Sequence, residues 1–188
     1  HEAFFFEEPM FEAGESLPRL HLAPQPCGII VAVPMLRQGT TEEEAIAIQR
    51  ELIDGLLSGR KDEELTFWYY TPMALSFTGH HQPGLCIYDC MDELAAFKFA
   101  PPALLALERR LFDRADLVFT GGRSLYEAKK HRHPSCHCFP SSVDLAHFAR
   151  ARSPNRREPA ELAGIAHPRV GFFGVIDERM DLDLVAAL

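Results

Sequence analysis

The chain has 188 residues, of which 47% are hydrophobic, and a formal net charge of −8. This length and apolar content suffice for the core of one ordinary domain and exclude intrinsic disorder. The excess of acids argues against a nucleic-acid groove as the main function, because phosphate binding uses a basic surface. No segment approaches the roughly 20 apolar residues of a membrane span, so we expect a cytoplasmic protein for which peripheral membrane contact stays open. The five cysteines fit reduced thiols.

The first part of the chain contains two apolar runs and one amphipathic helix. Residues 3–6 and 28–33 are typical of buried strands, and Pro34 is expected to end the second because it cannot donate a ladder hydrogen bond. Residues 10–25 between them are predicted to be an irregular loop. Thr41 and Glu44 form a capping box, after which apolar residues recur at helical spacing.

Strands and helices then alternate as far as residue 139. Predicted strands cover residues 65–70, 84–88, 116–120 and 136–139, and predicted helices cover residues 101–115 and 125–131. This order is typical of α/β domains with a mostly parallel sheet and helices on its faces. We therefore predict a Rossmann-like fold.

The composition changes after Phe148. Residues 149–167 are polar and basic and are predicted to be a linker, residues 169–174 form a new apolar strand, and a helix begins at Met180. We therefore predict one Rossmann-like domain over residues 1–148 and the first strand and helix of a second over residues 168–188. Both ends suggest a piece of a longer protein, because the chain opens on a strand and closes within a helix.

Three carboxylates follow the predicted strand 84–88 in close succession: Asp89, Asp92 and Glu93. Open α/β folds place their ligands at the carboxyl edge of the sheet, which makes these acids candidates for catalysis. Alternatively, Asp89 caps a short helix, and Asp92 or Glu93 stabilises the positive N-terminal end of that helix. The residues alone leave both interpretations open.

Other strand ends carry polar residues or glycines that a parallel sheet would bring to the same edge. We expect a polar crevice there, lined also by Glu8, Thr71, Gly121, Gly122, Arg123 and Ser141. Residues 121–124 resemble an anion cradle in which glycine amides and the Arg123 guanidinium face the ligand. The alternative is a simple turn in which Ser124 caps the next helix.

The loop at residues 174–179 lies between the strand and the helix of the second predicted domain. Loops of this kind hold phosphate at a helix N-terminus, so Gly174, Val175 and Arg179 are candidates for phosphate binding. The alternative is an ordinary turn with Asp177 or Asp181 as the helix cap.

Residues 131–138 look like a metal site, since they contain three histidines and two cysteines. In a strand, however, Cys136 and Cys138 face one side and His137 faces the other. A second Cys-x-x-Cys pair, which structural zinc sites use, is also missing. We therefore predict core thiols here, together with Cys86 and Cys90, and no metal.

Four segments taken together resemble bacterial group 1 glycosyltransferases. In chain order they are YDCMDE at 88–93, ADLVFTGGRSL at 115–125, FPSSVDLAHF at 139–148 and GFFGVIDER at 171–179. They are most similar to the family 4 branch, which includes teichuronic-acid-type and other cell-surface polysaccharide enzymes. The resemblance covers nearly the whole chain.

This resemblance implies a GT-B architecture of two facing Rossmann-like domains. The N-terminal domain would bind a saccharide or glycolipid acceptor and the C-terminal domain a nucleotide-sugar, with sugar transfer to an acceptor hydroxyl, retention of configuration, no cofactor and no obligatory metal. Asp89, Asp92 and Glu93 would orient or deprotonate that hydroxyl. The loop from Gly174 to Arg179 would approach the donor diphosphate.

The chain departs from the family pattern in three places. Ser141 and Ser142 stand where relatives have Asn-Gly, the first strand and helix of relatives would precede residue 3, and the Glu-x7-Glu donor motif would follow Leu188. We therefore expect this polypeptide alone to be inactive and to need the remainder of its C-terminal domain. The alternative from another class is a non-catalytic Rossmann-like binding or assembly module.

Overall fold

The computed structural model describes residues 2–153, 157–176 and 180–187. The chain divides into two compact units, His1–Ser141 and Ser142–Leu188. The described residues of the larger unit form two sheets of four strands each, and the strands of the second sheet are separated by helices.

The first sheet is built around one long strand. This strand, β4 (Ile29–Arg37), pairs in parallel with β1 (Ala3–Phe6) and β2 (Met10–Glu12), and in antiparallel fashion with β3 (Arg19–Pro24). The prediction of an irregular loop over residues 10–25 is therefore wrong. Its prolines are compatible with a strand because Pro18 precedes β3 and Pro24 is the last residue of β3.

β4 runs through Pro34 instead of ending before it, which corrects the predicted bounds of this strand. Even-numbered residues near Pro34 direct their backbone N–H and C=O groups towards β1 and β2. Ala32 O accepts a hydrogen bond from Glu7 N (3.0 Å), and Gln38 N donates one to Glu12 O (2.8 Å). The backbone of Pro34 is directed to the same side. It lies opposite residues 7–9, which connect β1 with β2 and at which the ladder with β4 is interrupted. The proline thus needs no N–H at this position.

The second sheet is entirely parallel, in the order β5 (Thr66–Tyr69), β6 (Leu85–Cys90), β7 (Leu117–Thr120) and β8 (Cys136–Cys138). The helices of this unit are α1 (Glu42–Leu57), α2 (Leu75–Thr78), α3 (Leu104–Arg114) and α4 (Arg123–Lys129). The predicted α/β class is confirmed: a parallel sheet is flanked by helices in a Rossmann-like manner.

The start of α1 shows why these residues form a helix. Thr41 Oγ1 accepts a hydrogen bond from Glu44 N, and the Glu44 carboxylate accepts one from Thr41 N at 2.9 Å. Two backbone amides that a helix start leaves unpaired are satisfied in this way. The predicted capping box is confirmed.

The main core lies between β6 and α3. Alternate residues of β6, namely Cys86, Tyr88 and Cys90, point into this core and pack with Leu111 and Val118, which are fully buried. Each large apolar side chain buried there contributes about 1.5–3 kcal/mol. Since side chains alternate along a strand, Ile87 and Asp89 face the other side of the sheet.

The described residues of the smaller unit contain the short helices α5 (Leu145–Ala149) and α6 (Leu182–Ala187). The predicted strand at residues 169–174 is wrong: this segment has no ladder partner, and Val170, Phe172 and Phe173 are exposed. A strand requires a second backbone for pairing, and no strand occurs among the described residues of this unit. The assignment of residues 168–188 to a donor domain stays a prediction.

Candidate functional site

A pocket of about 440 Å³ opens where β6 and β7 end. These strands are neighbours in the parallel sheet, so the loops that follow them meet at one edge. The pocket brings together four of the residues predicted from the sequence, Asp92, Glu93, Gly121 and Gly122. Its full lining is Met91, Asp92, Glu93, Gly121, Gly122, Ser124, Leu125 and Ala128.

Asp89 lies within β6 and is not among the residues that line this pocket. Its Oδ2 accepts a hydrogen bond from Trp68 Nε1 at 3.2 Å. The two side chains meet because Trp68 is opposite Ile87, which makes it the diagonal neighbour of Asp89 on one sheet face. The alternative in which Asp89 caps a helix is therefore wrong, and its catalytic role stays a prediction.

Gly121 allows two strand ends to approach each other closely. Its amide donates to Cys90 O at 3.0 Å, and a Cβ at this position would lie 2.6 Å from Met91 O. Gly122 has open space around it and is the residue before α4, which begins at Arg123. Ser124 is thus inside the helix, and the alternative in which it is the N-cap is wrong.

The remaining predicted crevice residues lie outside the lining of the pocket. Glu8 follows β1, which belongs to the first sheet, and Thr71 accepts a hydrogen bond from Met73 N (3.3 Å) as the cap of a 3-10 turn. Arg123 is exposed and pairs with Glu127 at 3.6 Å, while Ser141 is exposed at the end of the larger unit. For Glu8 the reason is that the prediction of one continuous edge assumed one sheet, whereas β1 belongs to a different sheet from β6 and β7. Their roles stay predictions.

A buried lysine holds Glu93 at the pocket wall. Lys129 Nζ donates to Glu93 Oε1 at 2.9 Å and to Glu108 Oε1 at 2.6 Å. Glu108 also accepts from Arg132 Nη1 at 2.8 Å and from Tyr88 OH at 3.2 Å. Lys129 and Glu108 are each only 3% exposed. We call these five residues the Lys129 network.

The Lys129 network keeps its central pair charged. Burial raises the pKa of Glu108, but hydrogen bonds from Lys129 and Arg132 lower it more, so this pKa lies below its ordinary value. Burial lowers the pKa of Lys129, but its bonds to Glu108 and Glu93 outweigh this, so its pKa is raised. A fixed positive charge therefore lies behind Glu93 at neutral pH.

Cys90 lies beside this network as a buried thiol. Burial raises the pKa of its thiol, and its Sγ donates weakly to Asp92 O at 3.5 Å. A thiol with a raised pKa stays protonated at neutral pH, and only the thiolate is reactive. The prediction of core thiols is confirmed for Cys86, Cys90 and Cys136, which are buried, whereas Cys138 is only half-buried.

The sequence analysis missed Glu108, Lys129 and Arg132. A signal was present, because Glu108 follows Leu107 on the apolar face of α3, and Lys129 is four residues after Leu125 on α4. Charged residues at buried helical positions are rare unless they are paired. Such positions therefore point to an internal ion pair, although they do not identify its partner.

Metal-ligating side chains are gathered away from residues 131–138. In that segment Cys136 is buried and His137 exposed, as the strand alternation predicts. The cluster that the described residues form consists of Asp54, His80 and His81, and the sequence analysis missed it.

The predicted phosphate-binding residues belong to the smaller unit. Gly174 has a positive φ of 158°, and Val175 is exposed. Arg179 lies outside the described residues. Their binding of a diphosphate stays a prediction.

The structure establishes an α/β fold with a Rossmann-like parallel sheet and a pocket at its carboxyl edge. Comparison with protein-family models, curated proteins and solved structures found no match for this chain. Among the described residues, no helix has both the length and the apolar character needed to cross a membrane.

Proposed function

We propose that this chain is the acceptor-side part of a nucleotide-sugar-dependent glycosyltransferase. The observation that supports the proposal most is the placement of Asp92 and Glu93 on the wall of a pocket at the carboxyl ends of two neighbouring parallel strands. Ligands of open α/β folds bind at this edge. The resemblance of residues 88–93 and 115–125 to group 1 glycosyltransferases covers the two loops that form this pocket.

The two acids suit different tasks. Glu93 is held by Lys129 at 2.9 Å, which fixes its position and makes it a suitable acceptor for orienting a sugar hydroxyl. Asp92 is exposed on the same wall and suits the removal of the hydroxyl proton. The acceptor oxygen then forms a bond to the anomeric carbon on the face from which the nucleoside diphosphate departs. The bond from that carbon to the diphosphate breaks, and the configuration is retained.

The nucleotide-sugar donor would be bound by the second of the two domains that the resemblance implies. Gly174, Val175 and Arg179 are the residues that we assign to the diphosphate, whose departing charge Arg179 would stabilise. Asp89 acts less directly in this proposal, since it bonds the Trp68 indole and is not part of the pocket lining. No cofactor and no metal take part in the transfer step.

The transfer assay uses the complete reading frame that contains these 188 residues, a panel of nucleotide-sugars, and saccharide and glycolipid acceptors. Asp92→Asn is expected to lower kcat about 100-fold or more, the usual contribution of general base catalysis. Asp113→Asn is the matched control, because Asp113 is an exposed acid on α3 away from the pocket lining. Equal activity of the two variants, or no transfer from any donor, would reject the proposal.

One observation favours the second candidate, a non-catalytic binding module. Trp68 and Phe139 are 49% and 73% exposed, and Phe119 lies between them with ring centroids at 5.7 and 5.6 Å. Exposed aromatic surface of this kind is common where partners bind. Two results together would support this candidate: the complete protein lacks transfer activity, and the replacement Trp68→Ala abolishes its binding to a partner.

A further inference from the structure

Two histidines converge on one carboxylate oxygen at the surface of the larger unit. His80 Nε2 lies 2.8 Å and His81 Nε2 3.0 Å from Asp54 Oδ1. Asp54 is on α1, and the histidines follow α2, so two elements distant in sequence supply the three side chains. Their ligand atoms all lie within 4.8 Å of one another.

A second carboxylate fixes the orientation of His81. His81 Nδ1 lies 3.0 Å from Asp62 Oδ1, and Asp62 Oδ2 accepts a hydrogen bond from the backbone N–H of Gln82 at 2.6 Å. In the tautomer whose Nδ1 donates to Asp62, Nε2 keeps the lone pair with which imidazole binds a metal ion, and this atom lies 3.0 Å from Asp54 Oδ1. A carboxylate behind a histidine is also the usual support of a metal-bound imidazole.

The histidine loop is held in place independently of any ion. Arg114 donates from Nη1 to Gly79 O at 2.9 Å and from Nη2 to His81 O. The edge of the Phe67 ring packs against His81 at a centroid distance of 5.5 Å, and only 12% of the His81 side chain is exposed. A ligand held by its surroundings loses little freedom when it binds, which favours affinity.

We propose that Asp54, His80 and His81 bind one divalent transition-metal ion, with water as the fourth ligand and Asp62 supporting His81. Tetrahedral bonds of 2.0–2.1 Å separate ligand atoms by about 3.3 Å, so the two distances to Asp54 Oδ1, 2.8 and 3.0 Å, require a shift of a few tenths of an ångström. The two Nε2 atoms lie within 4.8 Å of each other and would adjust to the same separation. Imidazole with carboxylate suits Zn²⁺, Co²⁺ or Ni²⁺ better than Mg²⁺ or Ca²⁺. None of these residues lines the pocket, so the site would be structural: the ion would link α1 to the loop before β6.

Calorimetric titration of the 188-residue chain with Zn²⁺, followed by the visible spectrum with Co²⁺, tests this site. One ion per chain and a tetrahedral Co²⁺ spectrum without thiolate charge transfer are expected. Asp62→Asn should weaken binding by about tenfold or more, the range for residues that support a ligand, and His80→Ala, which removes a ligand, should weaken it at least as much. Zn²⁺ should raise the Tm of the wild type by more than that of His80→Ala at the same concentration.

The controls are His131→Ala and Cys138→Ser, which alter the segment 131–138, where histidines and cysteines are frequent but do not form this cluster. Both should bind Zn²⁺ as the wild type does. His80 is the preferred ligand to replace because 35% of its side chain is exposed, so folding is expected to survive the change. No binding by the wild type, unchanged binding by His80→Ala, or loss of binding in Cys138→Ser would each overturn the proposal.

Discussion

Replacement of Lys129 by methionine tests whether the buried charge behind Glu93 holds the pocket region together. Methionine keeps the apolar part of the side chain near the Phe112 ring, over which Lys129 Nζ lies at 5.9 Å. It removes both ion pairs, at 2.6 Å to Glu108 and at 2.9 Å to Glu93. Glu108 is then left charged and buried, with Arg132 as its remaining cation at 2.8 Å.

The expected loss follows from the burial of this pair. Removal of one partner of a buried ion pair costs about 3–5 kcal/mol, because the other charge stays out of water. Since Arg132 still bonds Glu108, we expect the lower end, about 3 kcal/mol. For a protein of this size, such a loss lowers Tm by about 6–12 °C.

Urea unfolding followed by circular dichroism measures this loss, with Lys130→Met as the matched control. Lys130 is the next residue, but it is exposed and pairs with Glu127 at the surface, where water and salt screen the ion pair, so its replacement should cost far less. The double variant Lys129→Met/Glu108→Gln should recover about 2 kcal/mol, since glutamine is neutral yet still accepts from Tyr88. Equal losses for the two lysine variants would refute the reasoning.

Three further predictions concern the same unit. Gly121→Ala should destabilise it by about 1–3 kcal/mol in urea unfolding because its Cβ would lie 2.6 Å from Met91 O, whereas Gly122→Ala meets open space and should cost less. The pKa of Glu108 is lowered from 4.5, so the contribution of this carboxylate to stability is present above pH 4.5 and is lost as the pH falls through the folded-state pKa. The variant Glu108→Gln should therefore lose less stability than the wild type when both are titrated with acid. With a thiol reagent, exposed Cys27 should react first, and Cys27→Ser should abolish this fast phase because Cys86 and Cys90 are buried and their pKa values raised.

The second sheet was predictable because its strands are apolar runs bounded by turns and separated by helices. Such strands pair in sequence order, as β5 to β8 do. The strands β2 and β3 were not predictable in the same way, since most of their side chains are exposed. Backbone pairing with β4 forms them, and the hydrophobic pattern of a short exposed segment carries little information about pairing.

The candidate site was predictable where it depends on neighbouring strands alone. Asp92 and Gly121 meet because β6 and β7 are consecutive and parallel, which places the loops after them at one edge. Glu8 was expected there too, but its strand belongs to the other sheet, and sequence order does not reveal this division. The residues of the Lys129 network are spread from Tyr88 to Arg132, and those of the Asp54 cluster extend from α1 to the loop after α2, so local spacing could not identify them.

The end of β6 decides how its three acids are used. The predicted strand ended at Tyr88, which would have placed Asp89 in the loop with Asp92 and Glu93. β6 continues to Cys90 because Cys90 faces the core and Cys90 O accepts from the amide of Gly121 at 3.0 Å. Asp89 therefore obeys the strand alternation and faces Trp68, and only the two later acids reach the pocket. The close packing that requires glycine at 121 thus also separates Asp89 from the pair that we assign to the acceptor hydroxyl.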